Sequence, residues 1–300
     1  MKQTASLSII IPVFNEKGNV SLLHQKIKNV MDTLGNQWEL IFIDDGSTDE
    51  TLTIIKDYIA KLDMDVKIFH HKWKGLGYSR NIVVENSNGD YILWIDGDMI
   101  IPSNYVRKLV EFMEKNPRVA IAKGKQSINP AANLVGTLEA YSRAASRMVN
   151  YQSEKLKFKS LGTGGAIYRL KAIKEVGGFD EKLRSYGEDF DAEIRIRACG
   201  WALAVVDVDF SDYEKSGLSW KALWERYWLR GYYSYFFLQK NSKALRLYKM
   251  LPLTAAIAGF LHSLKIYKLT NKAVSFMLPL LYIFKMTAWY LGFISCRIHS

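Results

Sequence analysis

Tyr91-Ile92-Leu93-Trp94-Ile95-Asp96-Gly97-Asp98 sets five apolar residues directly before two carboxylates one residue apart. An unbroken apolar run, rather than an alternating one, marks a strand buried on both faces, as in a parallel sheet covered by helices. The pattern recurs upstream. Leu7 to Phe14 runs into Asn15-Glu16, and Trp38 to Ile43 runs into Asp44-Asp45-Gly46-Ser47. Val66 to His70 reads as another short strand. Between these runs, Asn19 to Leu34 carries Val20, Leu23, Ile27, Val30, Met31 and Leu34 at helical spacing. Thr48-Asp49-Glu50 opens a second helix, and Tyr78 to Asn86 reads as a third. Strands alternating with helices at this spacing predict βαβ units, hence an α/β fold with a mostly parallel central sheet flanked by helices.

In such a sheet, ligands bind outside the carboxyl ends of the strands. Asn15-Glu16, Asp44-Asp45 and Asp96-Asp98 all sit there, so three polar clusters converge on one crevice. Two carboxylates spaced as in Asp96-Gly97-Asp98 suit a hard divalent cation whose remaining ligands come from a diphosphate. Gly75-Leu76-Gly77 with Lys74 and Arg80 precedes a helix and is placed to receive phosphate, although it matches neither a dinucleotide fingerprint nor a P-loop. Gly187-Glu188-Asp189 leads into a helix carrying Arg195 and Arg197. A carboxylate there serves either as a cap favoured by the helix dipole or as a general base. Gly162-Thr163-Gly164-Gly165 allows close backbone approach to a sugar or acceptor. After Lys123 the strand–helix pattern changes: Leu134 to Gln152 and Asp189 to Ala198 read as helices, and Val205 to Phe210 as a last strand.

Taken together and in this order, these motifs resemble the family-2 glycosyltransferases of the GT-A fold over about residues 7–235. Ser8 to Glu16 is similar to that family's opening strand, Asp44 to Asp49 to its second strand end, Arg80-Asn81 to its loop, Asp96-Gly97-Asp98 to its DxD, and Glu188-Asp189 to its late acidic pair. The resemblance implies that Pro12, Phe14, Asn15, Glu16, Asp44, Asp45, Arg80, Asp96 and Gly97 bind a nucleotide-diphosphate sugar, with Asp45 on the base and Arg80 beside the diphosphate. It also implies that Asp98 and Asp96 hold Mn²⁺ or Mg²⁺, that Asp189 is the base of an inverting transfer, and that Glu188 helps bind the acceptor, for which the glycine run offers Gly164 and Gly165. The chain departs from the pattern twice. No His follows the last strand, where Asp209 to Tyr213 offers Asp212 instead, and the QxxRW motif of processive synthases is missing. Single addition is therefore expected over polymerisation.

The chain has 300 residues, enough for a sizeable core. Its two cysteines, Cys199 and Cys296, exclude a disulfide framework and a CxxC zinc site. The net charge of +11 is unevenly spread: from Lys215 onward 13 Lys and Arg face only Glu225, whereas the preceding residues nearly balance. That is a near-neutral body with a basic, aromatic tail, not a nucleic-acid charge stripe, and no nucleic-acid partner is expected. The reading divides the chain into a catalytic domain over 1–214, a basic aromatic amphipathic segment over 215–249 and a hydrophobic helical tail over 250–300. Trp220 to Lys240 mixes aromatics with cations as a helix on an anionic bilayer surface does. Leu251 to Leu264 is too short to span. Ala273 to Cys296 is long enough, although Lys285 near its middle must snorkel or pair. A membrane-associated protein is expected, with its catalytic face cytoplasmic because no signal peptide opens the chain, and with a lipid-linked or glycan acceptor. The competing readings are a sugar-phosphate nucleotidyltransferase, a catalytically silent membrane scaffold, and a soluble helical hairpin for the tail.

Overall fold

The computed structural model describes residues 6–17, 38–60, 66–97, 99–128, 131, 133–151, 160–212, 218–242, 244 and 247–299; the expected helix over 19–34 lies outside them. Contacts divide the chain into two units. The first comprises Met1–Lys125, Ser160–Arg184 and Glu188–Ser211, and the second Gln126–Lys159, Ser185–Gly187 and Asp212–Ser300.

The described strands are β1 (Leu7–Val13), β2 (Trp38–Asp44), β3 (Val66–His70), β4 (Tyr91–Trp94), β5 (Met99–Ile100), β6 (Val119–Gln126), β7 (Ala166–Arg169) and β8 (Ala202–Asp212). They form one sheet in the order β3-β2-β1-β4-β7-β6-β8-β5. β1 runs parallel to both β2 and β4, and β2 is parallel to β3. β7 is antiparallel to β4 and β6 and so inverts the sheet at its middle. Sequence reading missed β6 and β7 for local reasons. Val119-Ala-Ile-Ala-Lys-Gly-Lys-Gln126 is diluted by Ala, Gly and Lys, and the four residues of β7 follow directly on a glycine run.

Strand alternation splits the core between the two faces of the sheet. Leu7, Ile9, Ile11, Leu40, Phe42, Tyr91 and Leu93 pack on one face with Ile55 of α1 (Thr51–Ile59) and Tyr105, Val106, Leu109 and Met113 of α3 (Tyr105–Lys115). Ile10, Ile41, Ile43, Ile92 and Trp94 pack on the other with Val83 and Val84 of α2 (Leu76–Asn86), Ala172 and Ile173 of α5 (Leu170–Glu175), and Ala192 and Ile196 of α6 (Glu188–Ala198). Each buried Val, Leu, Ile, Phe or Met among them contributes about 1.5–3 kcal/mol by leaving water. Burial on both faces is why these strands are apolar except for Ser8 and Glu39 near their starts, whose side chains hydrogen-bond each other at 2.6 Å, and why their other polar residues sit at their ends.

The second unit is helical. α4 (Leu134–Tyr151), α7 (Trp220–Lys240), α8 (Pro252–Thr270) and α9 (Leu278–His299) share a core of Leu138, Tyr141, Leu223, Tyr227, Ile266 and Leu281. α7 and α9 approach closely where Gly231 lies against the Trp289 backbone and Gly292 against the Trp228 backbone. The first apolar segment of the tail is longer than its sequence suggests, because α8 continues to Thr270 before Asn271, with φ 52°, ends it. By length and composition, Ala273–His299 is able to cross a membrane, yet a third of its apolar window is buried inside this unit. Lys285, the residue that had to snorkel or pair, pairs: its Nζ donates to Glu139 Oε2 and Ser142 Oγ, each at 2.7 Å.

Candidate active site

Three loops meet at the carboxyl ends of β1, β2 and β4. At the first, Asn15 adopts a left-handed φ of 52°. Its Oδ1 accepts the Thr48 amide at 2.9 Å, while its own amide donates to Ser47 Oγ at 2.9 Å. The Glu16 amide donates to Thr51 Oγ1 at 2.8 Å. Asn15 thus ties the end of β1 to the end of β2. Beside it, Phe14 is exposed and Pro12 and Glu16 are half-buried.

The two aspartates after β2 differ. Asp44 commits both oxygens internally: Oδ1 accepts Ser47 N at 3.0 Å and Ser47 Oγ at 2.6 Å, and Oδ2 lies 2.8 Å from His70 Nδ1. Asp45 is buried with an Oδ1 that accepts no hydrogen bond, 3.5 Å from His71 Nε2. Burial pushes its carboxyl above the ordinary range, against Ser79, His71 and Arg80. Of the pair, only Asp45 keeps an oxygen with no hydrogen-bond donor among the described residues.

Asp96 and Gly97 turn out of β4. Asp98 lies outside the described residues. Opposite them runs the loop 160–165, which leads into β7. A Cβ on Gly164 would collide with Asp96 Oδ2, and one on Gly162 would come within 3.3 Å of Asp189 Oδ2. The loop therefore passes between two carboxylates that are 93 positions apart in the chain, and glycine at 162 and 164 leaves both of them room. Gly165 turns its backbone inward, donating to Trp94 O at 2.8 Å and accepting from Tyr105 Oη at 2.6 Å.

α6 supplies the acidic side of the site. Glu188, Asp189 and Asp191 occupy its first turn, where the helix dipole favours negative charge. Glu188 is buried and ion-paired with Arg80 Nη1, while Arg80 Nη2 donates to Thr163 Oγ1 at 2.7 Å and its guanidinium lies over the Phe179 ring. Asp189 is half-exposed between two buried carboxyls. Burial pushes Glu188 up to about 7 against Arg80, with Asp189 adding to the rise. Burial and then Asp189 likewise push Glu193 up to about 7, against Arg197 and the Gly162 amide. Arg80 is held charged, because Glu188, Asp189 and Asp96 outweigh its burial.

Glu193 escaped the sequence reading. One turn beyond Asp189, it accepts Gly162 N at 2.8 Å, Leu161 N at 2.9 Å and Ser160 Oγ at 2.9 Å, and so carries the glycine loop. Its spacing of four from Asp189 was the available signal, since such residues share a helix face. Thr163 was quoted only as part of a glycine run. Gly75 and Gly77 serve packing: side chains there would meet Arg184 Cα and Asp180 O, and the Leu76 amide already donates to Arg184 O at 2.7 Å.

Among the described residues, no three His, Cys, Asp or Glu side chains converge to enclose a metal. The Asp212 side chain, like Asp98, is outside the description. Asp96 at a glycine turn, with the Glu16 carboxylate packed against Gly97, does offer the hard oxygen donors that Mg²⁺ or Mn²⁺ takes when phosphates complete its shell.

Comparison with known proteins finds relatives in sequence and in structure. The profile of the family described as Glycosyl transferase family 2 matches residues 8–177. Succinoglycan biosynthesis protein ExoA of Rhizobium meliloti is 26% identical over 280 residues, covering 87% of this chain and 78% of that protein. Dodecaprenyl-phosphate galacturonate synthase of Rhizobium johnstonii is 25% identical over 178 residues, 58% of this chain and 51% of its own. An uncharacterised glycosyltransferase of Haemophilus influenzae is 39% identical over 116 residues, 37% of this chain and 43% of its own length. In the comparable Rickettsia bellii protein the match spans only 16% of the relative. In structure, the chain is similar throughout its length to a mannosyltransferase of Pyrobaculum calidifontis solved with GDP-Man and Mn²⁺, at a TM-score of 0.65, 14% identity and 89% coverage of that chain.

Proposed function

This chain belongs to glycosyl transferase family 2, and from that premise we propose that it moves a sugar from a nucleotide-diphosphate donor to a lipid-linked or glycan acceptor, inverting the anomeric centre and depending on a divalent metal. The observation that carries the reading is the glycine loop held between Asp96 and Asp189, which sets a metal-suited carboxylate and a half-exposed base on either side of one narrow backbone.

In this proposal Asp45 meets the nucleotide base, with Pro12, Phe14 and Glu16 lining its pocket. Asp96 and Asp98 would hold Mg²⁺ or Mn²⁺. Bound there, the metal supplies positive charge that offsets the charge of the departing diphosphate. Asp189 takes the proton of the attacking acceptor hydroxyl. Its two neighbours, Glu188 and Glu193, are buried and bonded, so Asp189 alone of the three has a half-exposed carboxylate. Arg80 keeps its place beside the diphosphate and has a second duty visible in its contacts, fixing Glu188 and Thr163 on either side of the loop.

The second unit supports membrane association. Leu253, Ile257, Phe260, Leu261 and Leu264 form an exposed apolar face along α8, with Leu280, Leu291 and Ile298 exposed on α9. Lys265, Lys268 and Lys272 follow within the same hairpin, the charge expected of a cytoplasmic anionic surface. The dodecaprenyl-phosphate relative fits a lipid-linked acceptor.

Thermal-shift titration of the detergent-purified protein with UDP, GDP, CDP and dTDP, each with and without Mn²⁺, tests the donor half. A ligand that binds only the folded state raises its melting temperature. Stabilisation by one nucleotide, only with metal, is expected. No response to any of the four overturns the reading.

A further inference from the structure

At the carboxyl ends of β2 and β3, two buried side chains face each other without a hydrogen bond. The strands are parallel with Asp44 beside His70, so Asp45 and His71 leave the sheet as neighbours. Their backbones are fixed there: the Asp45 amide donates to Val13 O at 3.1 Å and the His71 amide to Asp44 O at 3.2 Å. Gly46 lies so close that a Cβ on it would come to 3.0 Å from His71 O. The imidazole is fixed as well. Its Nδ1 lies 2.8 Å from Lys72 O, and a carbonyl only accepts, so Nδ1 carries a hydrogen. The Tyr78 ring packs edge-on against it at 5.0 Å, with Lys74 Nζ 4.5 Å over the Tyr78 ring. Nε2 is thereby turned to Asp45 Oδ1 at 3.5 Å. The imidazole and the carboxyl are 10% and 8% exposed, and neither of these two atoms has a hydrogen-bond partner among the described residues.

With Nδ1–H committed, a neutral imidazole would set the bare lone pair of Nε2 against a carboxylate. Two buried acceptors that close repel, and one proton between them removes the conflict. We propose that this proton resides on His71 Nε2, which makes His71 a positioning residue that keeps Asp45 an anionic acceptor for the imide N–H of a nucleobase. The substrate class follows from that edge. Uracil, thymine and guanine carry a ring N–H beside a carbonyl, whereas cytosine has an unprotonated ring nitrogen there and needs a donor. Around Asp45, Ser79 offers a neutral hydroxyl, Arg80 is ion-paired with Glu188, and Asp44 adds negative charge while engaging His70. Among the described residues, His71 is the cation-capable group turned to the Oδ1 edge. Burial pushes the Asp45 carboxyl upward, so without the imidazole the buried group takes up a proton and becomes a donor. The role of the base rests on the function proposed above, whereas the Asp45–His71 pair does not.

Nucleotide titrations of the full-length protein by thermal shift, at pH 7 and pH 9 with Mn²⁺, test it using UDP, GDP, dTDP and CDP. The parent is expected to prefer one of the three imide nucleotides over CDP. H71F should weaken binding of that nucleotide at pH 7 by roughly tenfold to a hundredfold, the scale of one charge-assisted hydrogen bond, and should narrow or reverse the preference over CDP. At pH 9, where the Asp45 carboxyl is ionised again, much of that loss should return. H71Q, whose amide N–H reaches the place of Nε2, should keep most of the affinity and guards against a folding defect. D45N should lose the nucleotide at both pH values. An equal loss of all four nucleotides in H71F, or no loss, overturns the proposal, because a merely structural His71 would not move the preference between bases. Nitrogen-15 spectra of histidine-labelled protein at pH 7 read the proton without any nucleotide. H71F identifies the His71 signals, which should show hydrogen on both ring nitrogens in the parent and on Nδ1 alone in D45N. A bare Nε2 in a parent that binds nucleotide overturns the proposal and spares the transferase reading. A protonated Nε2 in a parent that no nucleotide stabilises removes the transferase reading and leaves the pair standing.

Discussion

The two units handle buried charge in opposite ways. In the first, Arg80 is ringed by Glu188, Asp189 and Asp96, and carboxylates are in excess. In the second, Glu139 is buried against Lys285, with Arg143 and Arg230 close enough to act on it. The pKa directions follow. Burial lifts Glu188 to about 7 because Arg80 does not fully compensate and Asp189 adds to the load. Burial would lift Glu139 too, but Lys285 and Arg143 hold it below the ordinary range. A surplus of acid at strand ends suits a site that takes a cation and gives or receives protons. That surplus indicates what is missing, which a count of ion pairs would not.

The sharpest way to break the first half of this comparison is Asp189→Asn. If Asp189 is the base, turnover falls by roughly a thousandfold or more while metal-dependent nucleotide stabilisation persists, since general-base catalysis is worth about 10²–10⁴. Steady-state rates alongside melting curves check both. A variant that keeps its full rate would end the assignment.

Breaking the second half should cost stability instead. Lys285→Met leaves Glu139 buried without its principal cation, a change worth about 3–5 kcal/mol when one partner of a buried pair is lost. The double variant Glu139→Gln/Lys285→Met should recover much of that. If chemical denaturation finds Lys285→Met as stable as the parent, the pair does not hold α4 to α9.

Gly164→Ala probes the loop with an intermediate effect. Its methyl group would push directly on Asp96, so metal-dependent donor binding should weaken by roughly tenfold, the order of a small steric misplacement at a reacting centre. Gly200→Ala, where a Cβ meets nothing within 4 Å but the φ of +86° strains any L side chain, should cost stability and leave nucleotide titration unchanged.

The uneven legibility of the sequence follows from the same physics. β1, β2 and β4 were readable because burial on both faces demands unbroken apolar runs, and Asp96 and Asp189 because a carboxylate after such a run or at a helix start stands out. β6 and β7 were not, since their sheet pairing is long-range and their residues carry no local signature. Tertiary contacts also separated look-alikes: Asp44 and Asp45 are adjacent, yet one is consumed by Ser47 and His70 and the other keeps an open oxygen. The pairing of Lys285 with Glu139 spans 146 positions, and no periodicity announces it.

Glu193 gives the clearest test of sign. A carboxyl that binds its proton more tightly when folded than when unfolded contributes stability below its unfolded pKa, and that contribution is lost as pH rises to its folded pKa. Glu193 goes from 4.5 to about 7, so the apo protein should lose stability between those values, by at most about 1.4 kcal/mol per pH unit for each such group. Glu188 contributes with the same sign over the same window. Glu193→Gln can still accept the Gly162 and Leu161 amides through its carbonyl oxygen but has no proton to lose, so about half of the slope should vanish while the loop stays in place. Melting temperatures measured from pH 4.5 to 7.5 provide the test. An unchanged slope would mean that Glu193 is already ionised throughout, with Arg197 at 3.7 Å compensating its burial, and that the excess of uncompensated acid in the first unit belongs to Glu188 and Asp189 alone.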